Sequence, residues 1–348
     1  MRAMASMRAI AQVEYGSPEV LKDMTLPKPV PKAGELLVRV YASSVNPTDV
    51  KVSEGNGPKF GAPGEAFILG TDAAGEVVEI EQGCGKFKIG DHVFFAGERL
   101  KNMANAEYCV VSAKLCGSKP KKLTWAEAAA MPLTTLTAWE AMFEQMKIPQ
   151  GSTASMLVVN GAGGVGCIAT QIAAKVLNLT VIPTASRPET VEFCKANGGH
   201  FVISHRKPLK PQLEEIGIPQ VDYILNCANW GDKELSEWAD CLAPLGQITS
   251  ILPPSSAIQP ATFGKLFLLR AQLNMELMWV RTMQSVEIEK QGQILEAASR
   301  LFDAGTLKST LQKELPFSAA GLKEAYEIST AGAAMGKMCI VDASAPQP

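Results

Sequence analysis

The chain has 348 residues, which is long for one domain and natural for two. Hydrophobic residues make up 47% of it and charged residues 20%, as is ordinary for a globular enzyme. The net charge of −2 gives no reason to expect nucleic acid or an anionic membrane as a partner. The first residues contain no apolar segment resembling a signal peptide, so a cytoplasmic location is expected.

The eight cysteines also indicate a reducing compartment such as the cytoplasm. None belongs to a C-x-x-C pair, and most lie within apolar runs, where a free cysteine behaves as a small hydrophobe. Reduced structural thiols are therefore predicted in preference to disulfides or metal ligands.

The first third of the chain has a pattern typical of β-structure, because prolines and glycines separate short apolar segments. The predicted strands there are Leu36–Val45, Gly75–Ile80, Val93–Ala96 and Ala106–Val111. A helix is then predicted over Trp125–Lys147, which is rich in Ala, Leu, Met and Glu.

Strands and helices alternate in the middle of the chain. The predicted strands are Val181–Thr184, Phe201–Ser204, Val221–Asn226 and Gln247–Leu252, and the predicted helices are Glu189–Asn197, Lys233–Cys241 and Phe263–Gln272. This alternation indicates a parallel, doubly wound sheet. Helices near 288–304 and 319–330 and a last strand at Met338–Val341 follow.

These elements predict an α/β protein with a Rossmann-type doubly wound parallel sheet and a second, β-rich domain. Residues 1–128 are expected to form the β-rich domain and residues 129–285 the nucleotide-binding domain. Residues 286–348 are expected to rejoin the first domain.

A glycine-rich turn follows the apolar run Ser155–Asn160, with Gly161, Gly163 and Gly166 in the G-x-G-x-x-G pattern. The first glycine permits a tight turn, the second lets backbone approach a pyrophosphate, and the third lets the helix pack on the strand. The N–H groups at the start of that helix can bind phosphate. The sequence therefore predicts a dinucleotide site, and its contact set also includes Gly164 and Val165.

The cofactor type depends on the end of the second strand, where NAD-binding folds usually carry an acidic residue. Here no acidic residue occurs before Glu189, and Ser186 and Arg187 offer a hydroxyl and a guanidinium. These groups suit a 2′-phosphate, which predicts NADPH. The same four residues, Ser186–Glu189, also fit a capping box with Pro188 in the first helical turn, and the two interpretations are compatible.

Several motifs together resemble the medium-chain dehydrogenase/reductase superfamily, and within it the zinc-independent quinone-oxidoreductase branch and proteins called zinc-type alcohol dehydrogenase-like. They are Asn46-Pro47-Thr48-Asp49, Leu69-Gly70-Thr71-Asp72-Ala73-Ala74-Gly75, Gly90-Asp91-His92-Val93 and Leu136-Thr137-Ala138-Trp139-Glu140-Ala141. The resemblance extends over residues 7–342 and implies a GroES-like domain built from both ends of the chain. It also implies a Rossmann domain in the middle and a nicotinamide cofactor.

The zinc ligands of this superfamily are replaced here. Where its zinc enzymes carry Cys, His and Cys, the corresponding residues are Asn46, Thr71 and Leu133. The four-cysteine structural zinc lobe is also missing, because the segment from Val93 to Cys109 contains no other cysteine. Asp72 alone is not a zinc site, so no metal is predicted.

The catalytic candidates are Asn46, Lys51 and Asp72. Asn46 could orient a substrate carbonyl or the cofactor, or could be only a turn residue before a proline. The tyrosine that often follows this motif in the branch is replaced by Val50, which leaves Lys51 or water as the proton source.

Further cofactor contacts are predicted at Thr137, His205, Cys227 and Lys337. By resemblance, Thr137 would meet the nicotinamide amide, with a helix N-cap as its alternative. By the same resemblance, His205 would be a second 2′-phosphate contact, and its alternative is an ordinary exposed polar residue at a strand end.

These inferences predict an NADPH-dependent quinone oxidoreductase that transfers hydride without zinc. Reduction of an enone, alkenal or enoyl-thioester on the same scaffold stays open, as does a non-catalytic NADPH-binding sensor. A late strand over 274–280 at the edge of the sheet favours a homodimer or a multiple of one. The expected partner is otherwise a small molecule.

Overall fold

The computed structural model describes residues 5–56, 64–98 and 104–346. The strands, in chain order, are β1 (Ser6–Gln12), β2 (Lys22–Pro27), β3 (Glu35–Ser44), β4 (Phe67–Ile68), β5 (Asp72–Ile80), β6 (His92–Phe95), β7 (Tyr108–Ser112), β8 (Gly117–Ser118), β9 (Ser155–Val159), β10 (Thr180–Pro183), β11 (Val221–Asn226), β12 (Leu242–Ser250), β13 (Gln272–Met275), β14 (Leu311–Pro316) and β15 (Lys337–Val341).

The helices are α1 (Pro47–Ser53), α2 (Trp125–Ala129), α3 (Pro132–Trp139), α4 (Gly164–Lys175), α5 (Pro188–Ala196), α6 (Leu209–Glu215), α7 (Asp232–Cys241), α8 (Pro260–Leu269), α9 (Val280–Gln284), α10 (Glu289–Asp303) and α11 (Ala319–Thr330). A π-helical turn, Glu140–Gln145, directly follows α3, and short 3-10 turns lie at Pro18–Val20 and Ala113–Leu115. Within the described ranges no helix is long and apolar enough to cross a membrane.

The described residues divide into two compact units. One contains those up to Leu133 together with those from Trp279 onward, and the other is Thr134–Met278. The boundaries thus fall after Leu133 and Met278, whereas the sequence-based division placed them after residues 128 and 285.

The first unit is built on β-sheets. Its larger sheet has the order β14-β15-β3-β5-β6-β8, with β7 also paired to β3, and its smaller sheet has the order β2-β1-β4. The last strand, β15, pairs antiparallel with β3, so that Cys339 lies opposite Ser44. Both ends of the chain therefore contribute to one sheet, and this brings Lys337, at the start of β15, close to the end of β3.

The second unit contains the predicted parallel sheet. Its five strands have the order β10-β9-β11-β12-β13, and every pair of neighbours is parallel. Leu157, Ile224 and Ile248 on the central strands are fully buried. The strand order places the ends of β9, β11, β12 and β13 along one edge, which is the edge where doubly wound folds bind ligands.

The helix predicted over Phe263–Gln272 ends earlier, because α8 ends at Leu269 and Gln272 begins β13. Three other predicted elements differ more from the structure. The single helix expected over Trp125–Lys147 is interrupted, because Pro132 lacks the N–H that a continuous helix needs and instead occupies the first turn of α3. A strand was expected over 274–280. The observed strand, β13, ends at Met275, and the chain continues into α9, which begins at Val280.

The third difference is the predicted strand Phe201–Ser204, which makes only one isolated parallel bridge, from Ile203 to Thr184. A longer ladder with β10 is blocked by two features. Pro183 has no N–H to donate, and the N–H of Val181 donates to the Nδ1 atom of His200 at 3.1 Å.

Candidate functional site

The glycine-rich turn between β9 and α4 is closely packed. A Cβ atom on Gly161 would lie 2.3 Å from the Cβ atom of Pro183, and one on Gly166 would lie 2.2 Å from the carbonyl oxygen of Asn160. Glycine at these two positions therefore lets the turn lie against β10 and lets α4 start directly over the end of β9.

Gly163, the second glycine of the motif, is the residue before α4, and no side chain caps that helix. Gly163, Gly164 and Val165 are partly exposed. Because the first-turn N–H groups of a helix lack acceptors within the helix, they can donate to an anion. The turn therefore fits a pyrophosphate, and its fit rests on geometry rather than on the glycine pattern alone.

Asn160 connects this turn to the neighbouring strand. It has a positive φ of 60°, its side-chain Nδ2 donates to the carbonyl oxygen of Cys227 at 3.2 Å, and its backbone N–H donates to Thr184 Oγ1 at 2.9 Å. Cys227 lies directly after β11, and burial raises the pKa of its thiol, so the thiol stays protonated. Cys227 can therefore contact a ligand at this edge but is not a nucleophile.

Ser186 and Arg187 follow β10 and are partly exposed. The Arg187 guanidinium pairs with Glu189, with Nε and Oε1 3.1 Å apart and both side chains more than a third exposed. The predicted capping box is wrong by one residue. Arg187 itself is the N-cap of α5, and its N–H donates to Thr190 Oγ1 at 3.1 Å, so neither Ser186 nor Glu189 takes part in the cap.

His205 lies near the same strand end, with its Nδ1 atom 3.3 Å from Thr184 Oγ1. Burial and the neighbouring Arg206 lower the pKa of His205. Arg206 and Lys207 are exposed beside it. The sequence interpretation missed these two cations, although the basic run 205–207 was a visible signal for anion binding.

In the β-rich unit, Asp72 is the centre of a buried polar cluster. One carboxylate oxygen, Oδ1, accepts the backbone N–H of Leu133 at 2.8 Å. The other, Oδ2, accepts the Ser44 hydroxyl and the Asn46 Nδ2 at 2.8 Å each, and the Lys337 ammonium at 3.3 Å. Asp72 is 0% exposed, so within the described part of the chain these four donors compensate its charge.

Lys337 supplies the cation of the cluster and is 3% exposed. Its ammonium donates to the side-chain oxygen of Asn46 at 2.5 Å and to the carbonyl oxygen of Val45 at 2.9 Å. Both ends of the Asn46 amide are therefore bound within the cluster. Lys337 as a cofactor contact stays a prediction, and the contacts it makes here are with protein oxygens.

Asp49 is a buried carboxyl group that sequence reasoning missed as a functional candidate. Its Oδ2 accepts the backbone N–H of Asn46 at 2.9 Å. Burial raises the pKa of Asp49 to about 7, with the nearby Asp72 adding to the shift. The three-residue spacing from Asn46 to Asp49 was the available signal, since it is the spacing of a helix cap.

The remaining candidates are separate from this cluster. Lys51 is exposed on α1 and is not among the hydrogen-bond partners of Asn46 or Asp72. Thr137 is buried on α3. The structure thus joins Asn46, Asp72 and Lys337 by direct hydrogen bonds, and it places the glycine turn, Ser186, Arg187, His205 and Cys227 around the strand ends of the parallel sheet.

Comparisons with known proteins agree with this architecture. The alcohol dehydrogenase GroES-like domain matches residues 32–141, and the zinc-binding dehydrogenase domain matches residues 197–340. A zinc-type alcohol dehydrogenase-like protein of Staphylococcus aureus strain MSSA476 is 34% identical over 319 residues, covering 90% of this chain and 92% of that protein. The chloroplast envelope quinone oxidoreductase homolog of Arabidopsis thaliana is 30% identical over 338 residues, covering 96% and 98%.

Solved structures show the same fold. A putative zinc-dependent alcohol dehydrogenase of Rhizobium etli CFN 42 superimposes with a TM-score of 0.88 and 39% identity, covering 97% of this chain and 99% of that one. Escherichia coli quinone oxidoreductase complexed with NADPH superimposes with a TM-score of 0.81 at 24% identity, covering 97% and 100%.

A parallel, doubly wound sheet combined with an alcohol dehydrogenase GroES-like unit is the architecture of a dehydrogenase-type oxidoreductase. The chain belongs to the medium-chain dehydrogenase/reductase superfamily, with zinc-type alcohol dehydrogenase-like proteins and quinone oxidoreductase homologues among its relatives. The predicted fold class and family are thereby confirmed.

Proposed function

We propose that this protein is an NADPH-dependent quinone oxidoreductase that needs no zinc. One observation carries the proposal: the Lys337 ammonium lies within hydrogen-bond distance of Asn46 Oδ1 and Asp72 Oδ2. Asn46 occupies a position where zinc members of the superfamily have a ligand, so a cation of the chain itself already neutralises this pocket. A divalent metal there would meet electrostatic repulsion and an amide instead of a thiolate.

The donor chemistry supports the same proposal. Within the described residues no group of three or more His, Cys, Asp or Glu side chains is arranged to hold a metal ion. Without a Lewis acid to polarise an alcohol or carbonyl, acceptors that take hydride directly are favoured, and quinones are such acceptors. The relatives named quinone oxidoreductase homologues are consistent with this substrate class.

The preference for NADPH is proposed from the end of β10. The side chains of Ser186 and Arg187 carry no negative charge, and exchange of the exposed Glu189 for a 2′-phosphate would give Arg187 a doubly charged, bidentate partner. Arg206 and Lys207 add positive charge beside His205. The NADPH complex of the Escherichia coli quinone oxidoreductase supports this choice by analogy.

Bound NADPH would supply the hydride, and the chain would bind and orient it. The N-terminus of α4 would bind the pyrophosphate, and Thr137 would meet the nicotinamide amide. Because both ends of its amide are bound to Asp72 and Lys337, Asn46 would act as a positioning residue rather than as a direct contact to the acceptor. Exposed Lys51 or water would return a proton to the reduced acceptor.

The decisive experiment measures steady-state oxidation of NADPH and of NADH by the purified protein with a panel of small quinones, enones and alkenals. Turnover with quinones, a preference for NADPH, and little ethanol oxidation are expected. Turnover with enones alone would overturn quinones as the substrate class. NADPH binding without turnover on any acceptor would identify a sensor instead.

Elemental analysis of protein purified without chelators tests the metal part of the proposal. Substoichiometric zinc and unchanged activity after chelation are expected. One tightly bound zinc per chain would contradict zinc independence, because the buried polar cluster around Asp72 would then hold a second cation beside Lys337.

The proposal includes a homodimer or a multiple of one. Strand β13 pairs only with β12 among the described strands, so its other edge is unpaired, and Met275 on it is about half exposed. On neighbouring α8, Phe267 and Leu268 are 83% and 85% exposed. Pairing of two copies across this edge would bury these side chains and remove an aggregation risk.

Light scattering at micromolar concentration tests the assembly. A mass of two chains or a multiple of two is expected, and Phe267→Glu is expected to shift it toward one chain. A wild type that scatters as one chain would refute this part. The cytoplasmic location stays a prediction, supported by eight cysteines that are all free thiols.

A further inference from the structure

Two carboxyl groups lie together inside the nucleotide-binding unit. Glu140 begins the π-helical turn that follows α3, and Glu276 comes directly after β13. They are 5% and 4% exposed. Their side chains are hydrogen-bonded to each other, and Gln145 also bonds to Glu276. A π-helical turn is rare and is often found at functional sites.

The pair cannot carry two negative charges at neutral pH. Two carboxylates in contact in a low-dielectric environment repel each other strongly, so one proton is shared between them. Burial, followed by the charge of Glu140, raises the pKa of Glu276 to about 9. Glu144, on the same turn, adds to this shift. Strand β12 meets Glu276 through the backbone: the N–H of Glu276 donates to the carbonyl oxygen of Ser250 at 2.9 Å.

The pair lies at the ligand-binding edge of the sheet. Ser250 is the last residue of β12, and Glu276 follows the last residue of β13. In a doubly wound sheet the half that contains the glycine turn binds the adenosine part of a dinucleotide, and the other half binds the second mononucleotide. Strands β11, β12 and β13 form that second half. A bound nicotinamide would therefore lie at the ends of these strands.

One polar atom of the pair lacks an internal partner. Among the described residues, Glu276 Oε1 makes no hydrogen bond although it is buried. A buried carboxyl oxygen without a partner is costly, and in native structures it usually has a functional reason. An interaction with a bound ligand would compensate for this cost.

We propose that the Glu140–Glu276 pair senses the charge of the bound nicotinamide: it keeps its shared proton beside the neutral, reduced ring and releases it beside the positively charged, oxidised ring. The proposal rests on the nicotinamide cofactor but not on the identity of the acceptor. On release, the carboxyl O–H bond breaks, the proton passes to water, and the pair becomes doubly negative. When NADPH replaces NADP⁺, the pair takes a proton back from water.

This linkage would make the pair a specificity element for the oxidation state of the cofactor. A charge of −1 attracts the oxidised ring weakly, and a charge of −2 attracts it more strongly. Affinity for NADP⁺ would therefore rise with pH, by up to about tenfold per pH unit, between the pKa of the pair in the NADP⁺ complex and its higher pKa in the free protein, while affinity for NADPH would change little. At neutral pH the enzyme would thus favour release of the oxidised product.

Isothermal titration calorimetry of the full chain with NADP⁺ and with NADPH tests the proposal. Repeating each titration in buffers of different ionisation enthalpy counts the protons released. A measurable fraction of a proton is expected for NADP⁺ and none for NADPH. Glu276→Gln should abolish the release and flatten the pH dependence of NADP⁺ affinity, because an amide has no proton to lose in this range.

Two further variants complete the design. Glu140→Gln should have the same effect as Glu276→Gln, since either removes the second carboxyl group. Glu144→Gln is the matched control, because it removes a charge from the same turn but leaves the proton-sharing pair, and its proton release should persist. Should Glu276→Gln fail to fold, the comparison of Glu140→Gln with Glu144→Gln still decides.

The outcomes separate this proposal from the proposed function. Binding of NADP⁺ without proton release in the wild type, or unchanged release in both Gln variants of the pair, overturns the charge-sensing role. Proton release together with no turnover of quinones overturns the proposed substrate class but supports the pair. If neither nucleotide binds at millimolar concentration, both proposals are wrong.

Discussion

Replacing Lys337 by methionine tests the argument about the buried cluster most directly. Methionine has nearly the length of the lysine side chain but no charge, so the packing is largely kept. The substitution leaves Asp72 with three neutral donors and no cation, at a position that is 0% exposed. It also removes the donor to Asn46 Oδ1.

The expected loss follows from the burial of the pair. Removing one partner of a buried ion pair costs about 3–5 kcal/mol, because the remaining charge is uncompensated. The three neutral hydrogen bonds to Asp72 favour the lower half of that range. In the double variant Lys337→Met/Asp72→Asn no unpaired charge remains, so at least about 1.5 kcal/mol should be recovered relative to the sum of the single variants.

The assay is unfolding in urea followed by circular dichroism, with Lys313→Met as the matched control. Lys313 lies in the same unit and pairs with Glu324 at the surface, with Nζ and Oε1 2.5 Å apart. Loss of an exposed pair costs at most about 1 kcal/mol. If Lys337→Met costs no more than Lys313→Met, or if the double variant shows no recovery, the ammonium does not compensate Asp72 and the electrostatic argument against zinc fails.

Three other predictions concern the cofactor and pH. Arg187→Ala should raise KM for NADPH by roughly ten- to a hundredfold, which is the equivalent of about 1.5–3 kcal/mol. It should barely change KM for NADH. Equal effects on the KM values of both nucleotides would mean that Arg187 is only a helix cap. Gly163→Val should abolish binding of both nucleotides in fluorescence titrations while the fold is retained, and undiminished binding would contradict the pyrophosphate assignment. Asp49→Asn should change how stability depends on pH. Burial raises the pKa of Asp49 from an ordinary 3.8 to about 7. The wild type therefore loses stability as pH rises from about 4 to above 7. At pH 8 the variant should be more stable by up to about 4 kcal/mol, with no advantage near pH 4, and parallel profiles of melting temperature against pH would refute the raised pKa.

The sequence by itself determined the nucleotide-binding unit well, because its signals are local. An apolar run, three spaced glycines and a helical period lie within about twenty residues, and each follows from backbone sterics or side-chain periodicity. Gly161 and Gly166 are required at the positions expected, since a Cβ atom on either would overlap its neighbours. The replaced zinc ligands were also visible in the sequence.

Other local signals were misinterpreted because a single backbone or side-chain group decided the outcome. The helix over Trp125–Lys147 was predicted from composition, and the proline within it decided otherwise. The cap of α5 starts at Arg187 rather than Ser186, because Thr190 and not Glu189 bonds to the N-cap N–H. The strand expected at 201–204 is reduced to one bridge, since Pro183 and the His200 side chain remove the ladder bonds.

Only the tertiary structure decided which polar groups meet. Lys337 and Asp72 are 265 residues apart, and the register of β15 on β3 and of β3 on β5 brings them together. Glu140 and Glu276 belong to a helix end and a strand end that no short motif connects. Whether a charge is buried, and what compensates it, depends on strand register and packing between distant segments, and a linear pattern of residue types does not specify either.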